Sequence, residues 1–246
     1  MPQRVAIILA AGKGTRMKSD LAKVLHPFLG RPLVTYPVAA ALEAGAERIV
    51  VVTGHQEADV RQAVLSTQGL SPDMVRFAHQ AQQNGTGHAV LSALPDVPND
   101  ESQVWILSGD TPMVRPRTLE AIADAARRSE AGLCVTSLQA EGPTGYGRVL
   151  RDQRGRPKCI REERDCSPQE ARVTECNAGL YCATASHLHA ELRTLGTANA
   201  QGEIYLTDLL EVRAKQGEVA VFAMDPIEAS GINTPEQLEA LEREAR

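Results

Sequence analysis

Short runs of apolar, often β-branched residues recur along the first part of the chain and alternate with segments whose apolar positions have helical spacing. The runs at 4–9, 48–52, 75–79, 104–107 and 133–139 predict buried strands. The segments at 33–44, 57–66, 87–93 and 117–129 predict helices, the first ending at Gly45. Strands and helices that alternate in this way form a mostly parallel sheet with helices on both faces. The pattern therefore predicts a Rossmann-like α/β fold whose ligand site lies beyond the carboxyl ends of the strands.

After Gly142 the pattern changes, because Pro, Gly and Arg interrupt the short apolar runs. We expect a small antiparallel insertion here that covers the ligand site. A strand at 177–183, a helix at 206–216, a strand at 219–223 and a closing helix at 235–244 complete the expected single domain of 246 residues.

Composition and charge exclude several classes of protein. The net charge of −5, from 26 basic and 31 acidic residues, disfavours a nucleic-acid binder. The chain has 5 cysteines, an odd number without a CxxC pair, which argues against a disulfide framework and a zinc ribbon. The apolar run near the N-terminus reaches Gly12 too soon to span a bilayer. We therefore expect a cytoplasmic protein with no nucleic-acid or membrane partner, and the sequence leaves its oligomeric state open.

The clearest chemical motif is the glycine-rich turn LAAGKGTRM at Leu9–Met17, which is followed by Lys23. Small residues let the backbone approach a ligand closely, and consecutive N–H groups in such a turn can bind an anion. Arg16 and Lys23 add positive charge beside them. Phosphoryl and nucleotidyl transfer need this combination, because negative charge builds up on the phosphate oxygens. The alternative is an ordinary strand-to-helix turn with solvated charges.

Two other glycine-loop classes fit this turn less well. A Walker A loop requires GxxxxGK[ST], which the segment does not have. An NAD-binding fingerprint requires a third glycine, and it also needs an acidic ribose-binding residue at a set distance. Gly14 is followed by Thr, Arg and Met instead. An NAD-dependent oxidoreductase is therefore disfavoured.

Two further polar segments follow predicted strands. Ser108-Gly109-Asp110-Thr111-Pro112 places a carboxylate at a strand end, where it could hold Mg²⁺ against substrate phosphates; alternatively, Asp110 only turns the chain. The segment Gln80–Ala89 supplies side-chain amides suited to the edge of a base. Its alternative is a polar loop that caps a helix, with Thr86 as the N-cap and His88 as an ordinary helix histidine.

Taken together, the motifs LAAGKGTRM, QQNGTGHA, SGDTP, GYGR, IREERD, CNAGLY, NAQGEIYLTDLL and SGINT occur in one order. In this the chain resembles the pyrophosphorylase domain of bacterial N-acetylglucosamine-1-phosphate uridylyltransferases, within the nucleotidyltransferase superfamily, from Val5 to about Leu241. The resemblance implies a nucleotide-diphospho-sugar transferase fold, with residues 1–140 as the nucleotide-binding half and 141–246 as the sugar-phosphate-binding half. It also implies an Mg²⁺-dependent reaction of UTP with N-acetylglucosamine 1-phosphate that yields UDP-N-acetylglucosamine, a precursor for peptidoglycan and cell wall biogenesis, and pyrophosphate.

The resemblance also implies roles for individual residues. Arg16 and Lys23 would be catalytic, and Asp110 with Asn233 would bind the metal. The nucleotide would contact Leu9, Ala10, Ala11, Gly12, Gly14, Lys23, Gln80, Gln83, Gly85 and Thr86. The phosphosugar side would be formed by Ser108, Gly109, Asp110, Tyr146, Gly147, Glu162, Asn177 and Asn233. Without the resemblance, Glu162 would be one charge in a solvated run.

Four positions depart from the family pattern. Ala22 stands where Pro usually precedes the lysine, so we expect a less rigid loop around Lys23. Ser108 replaces a bulkier residue, Ala178 a Thr and Ile204 a Tyr, which leaves open a different sugar phosphate or base. A non-catalytic nucleotide-sugar sensor is a further alternative, disfavoured because Arg16, Lys23, Asp110 and Asn233 are all present. The family usually continues into a β-helix acetyltransferase, and we expect no such domain within these 246 residues.

Overall fold

The computed structural model describes residues 2–246, and a nine-stranded sheet forms its centre. The strands are β1 (Arg4–Leu9), β2 (Pro27–Phe28), β3 (Arg31–Pro32), β4 (Arg48–Thr53), β5 (Val75–His79), β6 (Gln103–Ser108), β7 (Leu133–Gln139), β8 (Arg148–Arg151), β9 (Pro157–Arg161), β10 (Glu175–Thr184) and β11 (Ala220–Ala223). The α-helices are α1 (Thr35–Glu43), α2 (Glu57–Leu65), α3 (Thr86–Ala93), α4 (Pro116–Arg128), α5 (Ala185–Glu191), α6 (Asp208–Ala214) and α7 (Pro235–Glu244).

The main path of the sheet runs in the order β11-β7-β10-β6-β1-β4-β5. Strand β1 pairs in parallel with both β4 and β6, β4 pairs in parallel with β5, and β7 pairs in parallel with β11. Strand β10 lies between β6 and β7 and is antiparallel to both. The predicted α/β fold with a mostly parallel sheet is confirmed.

Both faces of this sheet are buried, which explains why its central strands are apolar without interruption. In β1, Ala6 and Ile8 belong to a core that also includes residues of α1, α2 and α4. The alternate residues Val5 and Ile7 belong to a second core that includes residues of α3, α5 and α6. Successive side chains of a strand point to opposite faces, so when both faces are covered every side chain of the strand is buried and is expected to be apolar. The predicted helices on both faces are confirmed.

The expected antiparallel insertion is the hairpin formed by β8 and β9. It joins the main sheet where Arg148 of β8 pairs with Cys176 of β10. Further along β10 the register shifts between Asn177 and Tyr181. Bulges of this kind bend a strand and redirect its side chains, often beside functional sites.

Most elements begin and end within two residues of the predicted positions. Helix α1 ends at Glu43, and Gly45 follows with a φ of 86°, a left-handed conformation that glycine accepts readily. Helix α5 and the short ribbon of β2 and β3 were not predicted. Helix α5 begins directly after β10 with no turn residue between them, so the apolar pattern of the strand runs into the helix. Among residues 2–246, none of the helices is long and apolar enough to cross a membrane.

Candidate active site

The loops that follow β1, β5 and β6 meet at one edge of the sheet, as the parallel topology requires. They enclose a pocket of about 320 Å³. Backbone bonds tie these strand ends together, for example from the amide of Gly109 to the carbonyl of Leu9 at 2.9 Å. The pocket is lined by Leu9, Ala11, Gly12, Lys23, Val24, Gln80, Gln83, Gly85, Thr86, Ala89, Ser108, Asp110 and Glu203. We call it the first pocket.

A second pocket, of about 270 Å³, adjoins the first. It is lined by Arg16, Ser108, Asp110, Thr111, Thr144, Gly145, Tyr146, Asn177, Ala178, Gly179, Ala229, Gly231, Asn233 and Gln237. Ser108 and Asp110 line both pockets. The strand-end carboxylate therefore stands at the junction of two spaces, each of a size suited to part of a substrate.

Five polar side chains converge at this junction. Nζ of Lys23 donates to the Asp110 carboxylate and, at 3.0 Å, to Oδ1 of Asn233. The same amide oxygen accepts from Nη2 of Arg16 at 2.9 Å. Asp110 is only 5% exposed, so its charge is balanced by Lys23 rather than by water. The hydroxyl of Ser108 donates to the other carboxylate oxygen.

The C-terminal loop reaches this junction because it packs on the end of β6. The amide of Ile232 donates to the carbonyl of Asp110 at 3.0 Å, and the amide of Asn233 donates to Oε1 of Gln237 at 2.7 Å. Thr234 and Gln237 also form a capping box at the start of α7. These bonds fix the Asn233 side chain beside Asp110.

Within the glycine-rich turn, the packing requires a glycine at Gly14, because the backbone there is left-handed and lies against Lys23. The φ of Gly14 is 69°, and a Cβ added there would lie 2.4 Å from Cβ of Lys23. Gly12 has no atom within 4 Å of the corresponding position. The contact at Gly14 therefore brings the lysine against the turn, whereas Gly12 leaves open space in the first pocket.

The loop after β5 is braced by its own side-chain amides. Nε2 of Gln80 donates to the carbonyl of Gly85 at 3.2 Å and lies 3.0 Å from Nδ1 of His88. Nε2 of Gln83 donates to the carbonyl of Ala11 at 2.7 Å. The alternative that Thr86 caps α3 is wrong. Gly85, with a φ of 100°, precedes the helix, and Oγ1 of Thr86 instead accepts from the amide of Leu206 at 3.1 Å.

Residues 199–207 form a segment beside the first pocket, and sequence reasoning gave it no role. Its backbone bonds to the loop after β5, from Gly87 to Ile204 at 2.8 Å and from Ile204 to Asn84 at 2.9 Å. Glu203 in this segment lines the first pocket. The signal in the sequence was the polar run before α6, but nothing local shows which loop such a run will contact.

The predicted phosphosugar residues fall into two groups. Tyr146, in the loop before β8, and Asn177, at the bulge of β10, both line the second pocket. Glu162 lines neither pocket; it lies beside Gly147 and accepts a hydrogen bond from the hydroxyl of Thr207 at 2.9 Å. Burial raises the pKa of Glu162 above its usual value, against the lowering effect of that bond.

Some predicted residues line neither pocket. Ala10, Gly14, Gly109, Gly147 and Glu162 are in this group. Three of them touch residues that do line a pocket. Gly14 packs on Lys23, the amide of Gly109 donates to the carbonyl of Leu9, and the carbonyl of Gly147 accepts from the amide of Asn177 at 2.8 Å. A larger cavity, of about 580 Å³, lies near β9 and the end of α6, and none of the predicted residues lines it.

Comparison with known proteins agrees with this geometry. Residues 6–203 match the MobA-like NTP transferase domain. The chain belongs to that family. The matched range covers the loops after β1, β5 and β6 and the bulge of β10, whereas Asn233 lies beyond it.

Curated relatives narrow the similarity and agree with the resemblance drawn from the motifs. The chain is 52% identical over 238 residues to the bifunctional protein GlmU of Anaeromyxobacter sp. (strain K), which covers 97% of this chain and 48% of that protein. It is 46% identical over 248 residues to the bifunctional protein GlmU of Geobacter metallireducens, covering 100% of this chain and 51% of that protein. The chain thus spans about half the length of these relatives.

Proposed function

We propose that this NTP transferase domain transfers UMP from UTP to N-acetylglucosamine 1-phosphate and releases pyrophosphate. The observation that supports it most is the convergence of Arg16, Lys23, Asp110 and Asn233 where the two pockets meet. A nucleotide in the first pocket and a phosphosugar in the second would place their phosphates at this junction. The similarity to GlmU proteins supports the choice of uridine nucleotide and sugar.

The proposed roles in the first pocket follow from its lining. Leu9, Ala11 and Gly12 offer backbone groups at close range, and Gln80, Gln83, Gly85 and Thr86 line the opposite wall, where they would contact uracil. In the second pocket, Tyr146 and Asn177 would hold the sugar phosphate, with Glu162 and Gly147 supporting them. Lys23 and Arg16 approach the junction from the first and second pockets.

Nucleotidyltransferases are generally metal-dependent, and we propose Mg²⁺ as the ion. The Asp110 carboxylate and the Asn233 amide oxygen both accept from Lys23 Nζ, so these oxygens face a common point. Hard oxygen ligands suit Mg²⁺, which usually takes one or two carboxylates and completes its shell with water and substrate phosphates. This donor set fits the ion. When bound, Mg²⁺ would withdraw electron density from phosphate oxygens and neutralise their charge.

The chemistry needs no covalent intermediate. A phosphate oxygen of the sugar 1-phosphate attacks the α-phosphorus of UTP in line, forming one P–O bond. The bond from that phosphorus to the oxygen that bridges the α- and β-phosphorus atoms of UTP breaks, and the electron pair leaves with pyrophosphate. A phosphate monoester is anionic near neutral pH, so no general base is required. Arg16 and Lys23 lower the barrier by positioning the phosphates and stabilising the charge that moves onto pyrophosphate.

The identity of the sugar is the least constrained part of this proposal. Ser108 and Ala178, two of the positions that depart from the family pattern, both line the second pocket. Each is smaller than the residue expected there, so a related sugar 1-phosphate is the second candidate.

All five cysteines are free thiols, which suits a reducing compartment and supports the cytoplasm as the location.

Release of pyrophosphate from a panel of substrates tests the proposal. UTP, CTP, GTP and dTTP would each be paired with N-acetylglucosamine 1-phosphate, glucose 1-phosphate and galactose 1-phosphate, with and without Mg²⁺. We expect turnover to be highest with UTP and N-acetylglucosamine 1-phosphate and to vanish when the metal is chelated. Turnover with another sugar would correct the substrate. Saturable binding of UDP-N-acetylglucosamine without turnover of any pair would show a non-catalytic sensor instead.

A further inference from the structure

The backbone just before Lys23 is held by a side chain from a distant loop. Ala22 is fully buried, and its amide donates to Oε1 of Gln56 at 2.5 Å across 34 positions of sequence. A buried amide without a partner is costly, so this bond accounts for a group that would otherwise be unsatisfied. Gln56 lies between β4 and α2, on a different part of the sheet edge from the glycine-rich turn.

Gln56 makes this bond from an unusual backbone conformation. Its φ is 50° and its ψ is 44°, in the left-handed region that few residues other than glycine adopt. The neighbouring backbone packs on the glycine-rich turn, since a Cβ added to Gly54 would lie 2.8 Å from the carbonyl oxygen of Ala11. Residues held in such conformations cluster at functional sites, where the surrounding structure keeps them in place.

Ala22 passes the constraint directly to Lys23. It is the residue that precedes the short 3₁₀ turn Lys23–Leu25, and its carbonyl accepts from the amide of Leu25 at 2.9 Å. The amide and the carbonyl of Ala22 are thus both engaged, one by Gln56 and one by the turn. On the other side, Gly14 packs against Cβ of Lys23. The lysine is therefore fixed from both its backbone and its side chain.

We propose that Gln56 is a positioning residue for the transfer reaction: it touches no substrate, and it fixes the point from which Lys23 reaches the phosphates. The inference rests on the function proposed above. A displacement of about 1 Å in a catalytic group can lower a rate by about 10²-fold. Loss of one backbone bond is a smaller disturbance, so we expect a fall of about tenfold in kcat, with the KM for UTP little changed.

The test uses substitutions that separate position from stability. Gln56→Gly removes the acceptor, which leaves the buried Ala22 amide unpaired, but it also relieves the left-handed backbone of a side chain. The two effects are of similar size, so thermal stability should change little while kcat falls. Gln56→Glu retains an acceptor oxygen at the same reach and should keep kcat within about twofold of the parent. If Gln56 had only a structural role, kcat would fall only in step with the loss of thermal stability in each variant.

Rescue provides the decisive arm. In the Gln56→Gly background, Ala22→Pro removes the unpaired N–H and holds φ near −65°, close to the −55° of Ala22. The glutamine side chain that contacts this amide is absent from the double variant, so it cannot clash with the ring. We expect this double variant to recover most of the lost kcat. Full activity of Gln56→Gly at unchanged stability would overturn the inference, and so would a loss that Ala22→Pro does not restore.

A readout independent of turnover separates this inference from the proposed function. Hydrogen exchange of the peptide spanning residues 19–26 should be faster in Gln56→Gly than in the parent and in Gln56→Glu. If the parent turns over no nucleotide but exchange is faster in Gln56→Gly, the proposed function fails, whereas the role of the Gln56–Ala22 bond in holding the backbone before Lys23 stands. If the parent is active and exchange is unchanged in Gln56→Gly, the inference about Gln56 is wrong and the proposed function stands.

Discussion

Nζ of Lys23 donates to Oδ1 of Asn233 at 3.0 Å, although 210 positions of sequence separate the two residues. One follows the first strand and the other precedes the last helix. The carboxylate of Asp110, which follows β6, accepts from the same lysine. The junction is therefore assembled only when the sheet is complete and the C-terminal loop has packed on the end of β6. Local unfolding of the C-terminal loop would therefore separate Asn233 from Lys23 and Asp110.

Arg16 offers the most direct test of the proposed chemistry. Arg16→Ala should lower kcat by about 10²–10³-fold, the loss typical when one donor to the transition state is removed. Steady-state pyrophosphate release would measure it. Lys13→Ala is the matched control, because Lys13 is a cation in the same turn that lines neither of the two pockets. Near-full activity of Arg16→Ala would remove this residue from the mechanism.

Asp110 should decide the response to metal. Asp110→Asn keeps the shape of the side chain but removes the charge, so the Mg²⁺ concentration for half-maximal activity should rise and kcat should fall by at least about 10²-fold, in keeping with several kcal/mol from metal-assisted stabilisation. Titration of activity with Mg²⁺ measures both. Ser108→Ala removes a hydrogen bond to the same carboxylate and leaves its charge, so it should shift the titration less. Equal effects of the two substitutions would argue against a metal-binding role for Asp110.

The sequence predicted the local parts of this site more fully than their connections. The strands and the loops at their ends follow from apolar periodicity, and the common edge follows from parallel pairing, so Arg16, Gln80 and Asp110 could be grouped in advance. The segment at 199–207 could not be placed, because its contacts depend on a loop more than a hundred residues earlier. The bulge of β10 had a signal in Gly179, since a glycine inside a strand often marks one. The side to which this bulge turns the chain depends on the pairing of β10 with β7, which the sequence of β10 alone does not show.

Glu162 provides a prediction about pH. Its pKa is raised in the folded state by burial, so the folded protein binds the proton more tightly than the unfolded chain. Stability associated with this group is therefore present below the unfolded pKa of about 4.5 and is lost as the pH rises towards the folded value. Glu162→Gln should be more stable than the parent at pH 7 and equal to it near pH 4. Thermal melts across this range would show the difference.

Glu175 is the matched control for that experiment, with the opposite sign. Its hydrogen bonds with Arg151 lower its pKa, so its contribution to stability is present above about pH 4.5 and is lost as the pH falls through the folded value. Glu175→Gln should therefore destabilise the protein at pH 7. In activity, Glu162→Gln should raise the KM for the sugar phosphate rather than for UTP, because Glu162 packs beside Gly147, whose carbonyl accepts from the amide of Asn177 in the second pocket. A raised KM for UTP alone would contradict the proposed role of Glu162.

The two glycines of the first turn should respond differently to alanine. At Gly14, with a φ of 69°, a side chain costs roughly 1–2 kcal/mol from the backbone alone. The added Cβ would also lie 2.4 Å from Cβ of Lys23 and would push the lysine away from Asp110. We therefore expect Gly14→Ala to lower the melting temperature by roughly 2–8 °C, at about 2–4 °C for each kcal/mol, and to lower kcat as well.

Gly12→Ala is its control, since nothing lies within 4 Å of the added Cβ. That methyl group would occupy space in the first pocket, which Gly12 lines, so it should raise the KM for UTP and leave the melting temperature within about 1 °C of the parent, a difference below 1 kcal/mol. Melting curves and steady-state kinetics of the two variants would separate a glycine needed for packing from one needed for room. A lowered melting temperature in Gly12→Ala with an unchanged KM for UTP would mean that the open side of the turn does not face the nucleotide.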